Sequence, residues 1–169
     1  MKDNFSDDLY RVNLPYPPVT LTQNDRRYAA LLSDAYAGKG SETTAIAQYR
    51  VHRLYLKKYP EIASAYQQIS AVEMLHQDLL GNLVLRLGCP PKLCSRTTGQ
   101  YWNGSFPMYR SQILLIFESD AEQERHAIAH YAQLIQTIPN ESVQALFKRI
   151  ILDEELHLHY LEALIAKYK

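Results

Sequence analysis

The sequence predicts an all-α fold, a bundle of four long helices, and three observations support this prediction. The chain repeats itself, since residues 42–49 resemble residues 124–131 and residues 73–76 resemble residues 154–157, at offsets of 82 and 81 residues. Around the second pair of segments, apolar residues recur at a 4-3 spacing, which is typical of a helix that faces a bundle core. No stretch alternates as a half-buried strand requires. The pattern indicates a helical hairpin that occurs twice.

Two elements precede the bundle helices. Residues 1–24 are rich in proline, asparagine and aspartate, and we predict an extended N-terminal arm that lies over the bundle or over a neighbouring subunit. Residues 25–169 are predicted to form the bundle domain. This domain begins with a short helix over about residues 25–37, because two glycines in residues 38–40 interrupt the helical pattern.

Each of the four long helices has a start signal. Ser41 is expected to cap the first of them, and Pro60 and Pro107 suit the first turns of the second and third. Gly88 fits a C-terminal stop for the second helix. The expected spans are residues 41–58, 60–87, 107–137 and 139 to near the C-terminus, and residues 88–106 form the long crossover between the two hairpins.

Charge and composition narrow the function classes. Lys plus Arg and Asp plus Glu both number 18, so neither a nucleic acid nor an anionic membrane is indicated as a partner. The chain has no apolar run near the roughly 20 residues that span a bilayer and no signal-peptide stretch, so we expect a cytoplasmic protein. Cys89 and Cys94 are expected to be reduced, and their spacing does not encode a zinc ribbon or a rubredoxin-type iron centre.

Each half of the chain carries a Glu-x-x-His tetrad within its apolar stripe. Residues at i and i+3 project from the same side of a helix, so both members of each tetrad face the core. One further glutamate from each repeat lies at a matched inward position. Four glutamates and two histidines from four helices are the ligand set of a two-metal site in a helix bundle. The predicted metal ligands are Glu42, Glu73, His76, Glu124, Glu154 and His157.

Charge balance explains why this set indicates metal ions. A buried carboxylate without a partner costs several kcal/mol, and two divalent cations neutralise four carboxylates. Carboxylate oxygens with imidazole suit iron or manganese and also hold zinc. We therefore expect two divalent metal ions, iron or manganese, as the cofactor. Glu73 and Glu154 are expected to bridge the ions, and Glu42 and Glu124 to be closer to terminal ligands.

Three further residues are candidates to orient the ligands. Tyr49 and Tyr131 lie seven residues after the single glutamates of their helices, so each is expected to donate its hydroxyl group to a ligand carboxylate across the bundle. Asp153 precedes Glu154, whereas the matching position in the other half is Val72. We expect Asp153 to orient His76 or His157 and to make the two metal positions inequivalent. The other histidines are expected at the surface; they are His52, His126, His130 and His159.

The repeated motifs resemble those of the ferritin-like superfamily of di-metal carboxylate proteins, and most closely the rubrerythrin-like and manganese-catalase-like branch. The resemblance covers residues 41–168. It implies a four-helix bundle with a di-iron or di-manganese centre that reduces or disproportionates peroxide, or that oxidises ferrous ions. The motifs are Ser41-Glu42-x-x-Ala45-Ile46, Glu73-x-x-His76, Glu124-x-x-Ala127-Ile128-x-x-Tyr131 and Glu154-x-x-His157.

Two departures from full-length rubrerythrin qualify what the resemblance implies. The chain has no cysteine-rich iron domain, so an electron donor would be another protein or a small molecule. Ala127 stands three residues after Glu124, where rubrerythrins carry an additional carboxylate, so the site is more similar to a fixed-metal catalase or a generic di-iron oxidase. We expect an oxidoreductase acting on hydrogen peroxide or dioxygen, as a homodimer or larger oligomer. The alternatives are a non-catalytic or ferroxidase-type iron-binding or storage protein and a purely structural bundle.

Overall fold

The computed structural model describes residues 10–169, and this part of the chain contains five α-helices and no β-strand. An isolated bridge between Cys94 and Tyr101 is its only β-type pairing. The predicted all-α fold class is confirmed. The helices are α1 (Arg26–Ala37), α2 (Glu42–Tyr55), α3 (Pro60–Arg86), α4 (Ile113–Thr137) and α5 (Glu141–Tyr168), with a short 3-10 turn (Leu56–Lys58) between α2 and α3.

The four long helices form two hairpins. Helix α2 packs along α3 and α4 packs along α5, and the short α1 packs mainly on α3. Short connections make the helices of each hairpin antiparallel. The long connection from residue 87 to residue 112 joins the hairpins, as the repeat predicts.

Most helix ends coincide with the expected signals. The side chain of Ser41 accepts the N–H group of Thr44, and that of Asn140 accepts the N–H group of Val143 at 3.0 Å. Each such cap satisfies a backbone donor that would otherwise have no partner within the helix, for about 1 kcal/mol. After α3, Gly88 adopts a φ of 87°, the left-handed conformation that favours glycine at a helix stop.

The third long helix begins six residues later than predicted. The expected start was Pro107, but α4 begins at Ile113. In between, the N–H group of Met108 donates to Oε1 of Gln48 at 2.7 Å, and the N–H group of Arg110 lies 3.2 Å from Nε2 of His52. Side chains of α2 accept hydrogen bonds from these backbone N–H groups. The groups therefore have partners without a helical turn, and the segment is an extended connection.

Two apolar clusters lie at opposite ends of the bundle. One contains Leu80 of α3 and Ile150 of α5, and the other contains Ile69 of α3 and Leu161 of α5. The Glu-x-x-His tetrads lie between the clusters on both helices. Fully burying a large apolar side chain contributes about 1.5–3 kcal/mol, so the clusters supply the stability that a polar layer between them would otherwise reduce.

Residues 10–24 contain no helix or strand and run along the outside of the bundle. The backbone N–H group of Thr20 donates to Ser142 Oγ at 2.9 Å, and Arg86 donates to the carbonyl of Val19 at 2.7 Å. The remainder of the predicted arm, residues 1–9, lies outside the described residues, and the domain division at residue 24 stays a prediction.

The thiols of Cys89 and Cys94 are both free and buried. Over residues 10–169, no helix combines the length and the apolar character needed to cross a bilayer.

Candidate metal centre

The structure brings the six predicted ligands together in the middle of the bundle. Each of the four long helices contributes: α2 one glutamate, α4 one glutamate, and α3 and α5 one Glu-His pair each. The glutamate of α2 lies in the first turn of its helix, and the other five residues lie well inside theirs. The six side chains are at most 4 % exposed, and they are Glu42, Glu73, His76, Glu124, Glu154 and His157.

The donor atoms form two overlapping groups. In each group, one nitrogen or oxygen atom from every residue lies within 4.8 Å of the others. Glu73 and Glu154 belong to both groups, whereas Glu42 and Glu124 belong to one each. This arrangement favours Glu73 and Glu154 as the bridging carboxylates. The groups are Glu42, Glu73, His76 and Glu154, here called the His76 position, and Glu73, Glu124, Glu154 and His157, here called the His157 position.

Several of these donor atoms are buried without a hydrogen bond from any described residue. They include Oε1 of Glu73, both carboxylate oxygens of Glu154 and Nδ1 of His157. Nδ1 of His157 lies 3.0 Å from Oε1 of Glu73, but the two atoms are not aligned for a hydrogen bond. An unsatisfied buried polar atom costs about 1–3 kcal/mol. Lone pairs that converge without pairing are the donor set that a divalent cation requires, so the residues fit two metal ions.

Both histidines point the same ring nitrogen inward. Nδ1 of His76 lies 3.0 Å from Oε1 of Glu154, whereas its Nε2 lies 3.2 Å from Oδ2 of Asp153. Nε2 of His157 lies 2.8 Å from the carbonyl oxygen of Tyr10. An outward Nε2–H group that donates to these acceptors leaves the inward Nδ1 lone pair free for a metal ion.

Tyr49 and Tyr131 make reciprocal contacts across the bundle. The Tyr49 hydroxyl group of α2 donates to Oε1 of Glu124 on α4, and the Tyr131 hydroxyl group of α4 donates to Oε1 of Glu42 on α2. Both tyrosines are buried. Each single glutamate is therefore oriented by the tyrosine of the opposite repeat, in the arrangement that the sequence predicts.

The pKa shifts divide the four ligand glutamates into two kinds. These glutamates and the two histidines form a buried polar layer between the apolar clusters. Burial and the nearby charge of Glu73 raise the pKa of both Glu42 and Glu124 well above the usual range. Burial also acts to raise the pKa of Glu73, but the adjacent imidazole groups of His157 and His76 outweigh it and lower that pKa. Burial and the charge of Glu73 act to raise the pKa of Glu154, but His76 and His157 outweigh them and lower it. The two shared carboxylates are thus the more acidic ones.

The same carboxylates raise the pKa values of the two histidines. Burial acts to lower the pKa of His157, but contacts with Glu154 and Glu73 outweigh it and raise the pKa to about 9. The pKa of His76 is raised as well, because the charge of Glu154 and the hydrogen bond to Asp153 outweigh the effect of burial. Two protonated imidazoles balance the two acidic glutamates in the metal-free protein. Two divalent cations would take the place of the protons on the layer.

Small side chains enclose a cavity beside the four glutamates. Its volume is about 10 Å³, which is close to the minimum for a single water molecule. Ala35, Gly40, Ala45 and Ala127 form part of its wall, and His130 lies on its outer side. A reactant that reaches the carboxylates along this side is restricted to a molecule of very few atoms.

His52 is not a surface residue, so that prediction is wrong. Its side chain is fully buried, and Nδ1 lies 2.9 Å from both carboxylate oxygens of Asp120. Gln48 and Tyr66 each donate to Asp120 at 2.8 Å. The sequence spacing is consistent with this burial, because His52 lies three residues after Tyr49 and therefore on the same inward face of α2.

The other three histidines that were predicted at the surface differ in their exposure. His126 and His159 are exposed as predicted, whereas His130 is half-buried beside the cavity. Tyr10 and Tyr16, the arm residues that contact Asp153 and the histidine ligands, were not predicted from the sequence. Neither tyrosine lies in a periodic pattern. Tyr16 contacts Asp153 and Tyr10 contacts His157, and the two residues of each pair are more than 130 residues apart in the sequence.

Comparison with known proteins identifies the family. Residues 40–169 match the family described as the ferritin-like domain. This chain belongs to that family. Within it, the ferritin-like chain is 28 % identical over 141 residues to a bacterioferritin from Desulfovibrio desulfuricans, covering 80 % of this chain and 74 % of the relative.

Solved structures show the same fold. A manganese catalase from Anabaena PCC7120 superposes with a TM-score of 0.83 at 19 % identity, covering 92 % of this ferritin-like chain and 78 % of the catalase. A Rhodobacter capsulatus bacterioferritin superposes with a TM-score of 0.73 at 24 % identity, covering 86 % and 88 %. The D. desulfuricans bacterioferritin, described with a diiron site, superposes with a TM-score of 0.70 at 27 % identity, covering 83 % and 78 %. The neighbours include both catalase and bacterioferritin, and the narrower resemblance to rubrerythrins stays a prediction.

Proposed function

We propose that this protein is a di-metal oxidoreductase that acts on hydrogen peroxide or dioxygen. The observation that carries the proposal is the buried layer of six metal-binding side chains, in which atoms of Glu73, Glu154 and His157 have no hydrogen-bond partner among the described residues, next to a cavity of about 10 Å³. The cavity has about the size of one water molecule, so a reactant that approaches the layer along this side is a molecule of very few atoms. A metal layer open only to such molecules suits chemistry on an O–O bond.

Two redox-active metal ions, when bound, would supply or accept two electrons at a time, which is the number that reduces peroxide to water. Reduction of dioxygen to water takes four electrons, and the external donor would supply the other two. The residues of the chain hold the site around them. Glu73 and Glu154 would bridge the two positions, and His76 and His157 would bind through Nδ1. Apolar clusters on both sides exclude bulk water, which strengthens every electrostatic interaction in the layer.

The tyrosines supply the hydrogen-bond donors of this layer. The hydroxyl groups of Tyr49 and Tyr131 hold Oε1 of Glu124 and of Glu42, so each single glutamate keeps its other oxygen for an ion. Burial and the charge of Glu124 raise the pKa of Tyr49, and burial and the charge of Glu42 raise that of Tyr131. Both phenols therefore keep their protons and donate at neutral pH.

The metal is iron or manganese. Oxygen and imidazole donors suit both metals, and the neighbours include a manganese catalase and a bacterioferritin with a diiron site. With manganese we expect disproportionation of peroxide into water and dioxygen. With iron we expect reduction of peroxide or dioxygen to water, with electrons from an external donor. We further propose a homodimer or larger homo-oligomer.

The test compares the protein loaded with iron and with manganese. Metal content is measured by elemental analysis, dioxygen release from peroxide with an oxygen electrode, and peroxide loss with a chemical reductant present. We expect two ions per chain and turnover in one of these assays. The variant Glu154→Ala should lose both metal and turnover, whereas Glu155→Ala, whose side chain is exposed, should retain both. Two bound ions without turnover of peroxide or dioxygen would contradict the enzymatic proposal.

An iron-oxidising or storage role is the second candidate, and the bacterioferritin relative favours it. The two roles differ in what happens to added ferrous ions in air. A storage protein retains iron far beyond two ions per chain, in a large hollow assembly. An enzyme keeps a stoichiometric pair. Elution of iron with the protein on size exclusion, together with the mass in solution, distinguishes the two.

A further inference from the structure

The N-terminal arm contacts the outer side of the His76 position. The hydroxyl group of Tyr16 donates to Oδ2 of Asp153 at 2.6 Å and lies 3.2 Å from Nε2 of His76. The backbone N–H group of Val12 donates to the other oxygen, Oδ1 of Asp153, at 2.7 Å. The carboxylate behind His76 is therefore fixed from both sides by residues of the arm.

The same arm contacts the outer side of the His157 position. The carbonyl oxygen of Tyr10 lies 2.8 Å from Nε2 of His157, and it is the polar partner of that nitrogen in the structure. The Tyr10 ring packs edge-to-face on Tyr160 with the ring centroids 5.0 Å apart, and Tyr10 is 7 % exposed. One short segment thus supplies groups behind both predicted histidine ligands.

Arg149 of α5 holds this segment in place. Its guanidinium group donates to the carbonyl oxygens of Leu14 at 2.9 Å and Val12 at 2.5 Å. It also lies 2.9 Å from Oδ1 of Asp153 and 4.5 Å from the centre of the Tyr16 ring. Arg149 is 5 % exposed, and hydrogen bonds from a charged donor are stronger than those between neutral groups. The docked arm is therefore a firmly held part of the fold.

We propose that the arm segment Tyr10–Tyr16 is a positioning element of the metal centre, which holds both imidazoles with Nδ1 inward and strengthens the His76 position selectively. The proposal rests on the centre binding two ions, as the proposed function requires. The arm residues touch neither the ions nor the reactant. They act through the orientation and the basicity of the histidines.

The selectivity follows from the different acceptors behind the two histidines. His76 donates to a carboxylate, Asp153, whereas His157 donates to a neutral backbone carbonyl. A hydrogen bond to a charged acceptor is roughly twice as strong as one between neutral groups, and a carboxylate behind a ligand histidine raises its basicity. The His76 position should therefore bind its ion more tightly and fill first.

Tyr16→Phe tests this proposal with little structural disturbance. It keeps the ring beside Arg149 and His76 and removes one hydroxyl group. Metal-free protein is titrated with Co²⁺, and binding is followed by calorimetry and by the visible absorption of the bound ion. We expect two binding steps in the unmodified protein. In Tyr16→Phe the tighter step should weaken by about 10-fold, within the 10–100-fold range for such partners, and the spectrum of the first equivalent should change.

Tyr55→Phe is the matched control, because it also removes one hydroxyl group, from a side chain of α2 that is 53 % exposed and lies outside the arm. It should reproduce both steps of the unmodified protein. Asp153→Asn should weaken the tighter step further, because the acceptor loses its charge. Two unaltered steps in Tyr16→Phe, or equal weakening of both steps, would overturn the arm proposal. Failure of the unmodified protein to bind two ions would instead overturn the proposed function.

Discussion

Glu73 and Glu154 differ from Glu42 and Glu124 in the number of metal positions that they reach. Each shared carboxylate has donor atoms in both groups, and each single glutamate has them in one. The pKa values follow the same division, with Glu73 lowered and Glu42 raised. At the scale of the residue, position in the layer therefore gives chemically identical side chains different roles.

This division predicts different metal contents for two matched variants. Glu73→Gln removes a charge shared by both positions, so bound metal should fall from two ions per chain towards none. Glu42→Gln affects the His76 position, so about one ion per chain should remain. The measurement is elemental analysis after gel filtration, with Glu155→Gln as the control at an exposed site. Equal losses in the two ligand variants would contradict the assignment of Glu73 as a bridge.

The protonation of the layer predicts how metal affinity depends on pH. The pKa of His157 is raised to about 9 and that of His76 is raised well above its usual value, so both histidines hold protons at neutral pH in the metal-free protein and metal ions must displace them. The raised pKa values of Glu42 and Glu124 act in the same direction. Affinity should therefore fall as pH falls. The metal affinity should keep increasing above pH 6.5, the usual pKa of histidine, and should level off near pH 9, the pKa of His157. Dissociation constants for Mn²⁺ measured across this range provide the check, and a constant value would contradict it.

The ends of the helices depend on local sequence in some places and on contacts with distant residues in others. Caps and glycine stops set most of the ends, as the start of α5 after Asn140 shows. The start of α4 depends instead on Gln48 and His52 of α2, which bind the backbone of the preceding segment. Contacts of this kind have no signature in the segment that they hold.

The buried pair of His52 and Asp120 is predicted to stabilise the fold independently of metal. His52→Ala leaves Asp120 without one hydrogen-bond donor and leaves the N–H group of Arg110 unpaired. We expect the free energy of unfolding to fall by about 1–3 kcal/mol, measured by urea denaturation of the metal-free protein. His159→Ala, an exposed residue of α5, should change it by less than about 0.5 kcal/mol. A change that small in His52→Ala would show that the pair contributes no stability.

At the scale of the whole molecule, two apolar clusters enclose one polar layer, and the arm closes its outer side. The layer holds four carboxylates within a fold whose net stability is only about 5–15 kcal/mol. Its unpaired oxygens reduce that stability, and bound cations would restore it. The bundle is therefore a scaffold whose stability is coupled to the occupancy of its centre.

Metal removal should lower the melting temperature. Binding to the folded state alone contributes about 2.7 kcal/mol at a ligand concentration 100-fold above the dissociation constant. For a chain of this size, that corresponds to roughly 5–10 °C. Calorimetry of the loaded protein with and without a chelator checks the shift. Glu73→Gln should show little response to the chelator, and a full response in that variant would place the stabilising ion elsewhere.

The internal repeat and the helical spacing predict the helices, the duplicated hairpin and the inward faces that carry Glu42, Glu73, His76, Glu124, Glu154 and His157. This was possible because helical periodicity is local, so spacing alone assigns a residue to a face. The burial of His52 and the positions of Tyr10 and Tyr16 behind the histidines are seen in the folded structure, and the positions of the two tyrosines have no local signature in the sequence. These features arise where segments distant in sequence pack together, and the arm that supplies two of them has no periodicity from which its position could be inferred.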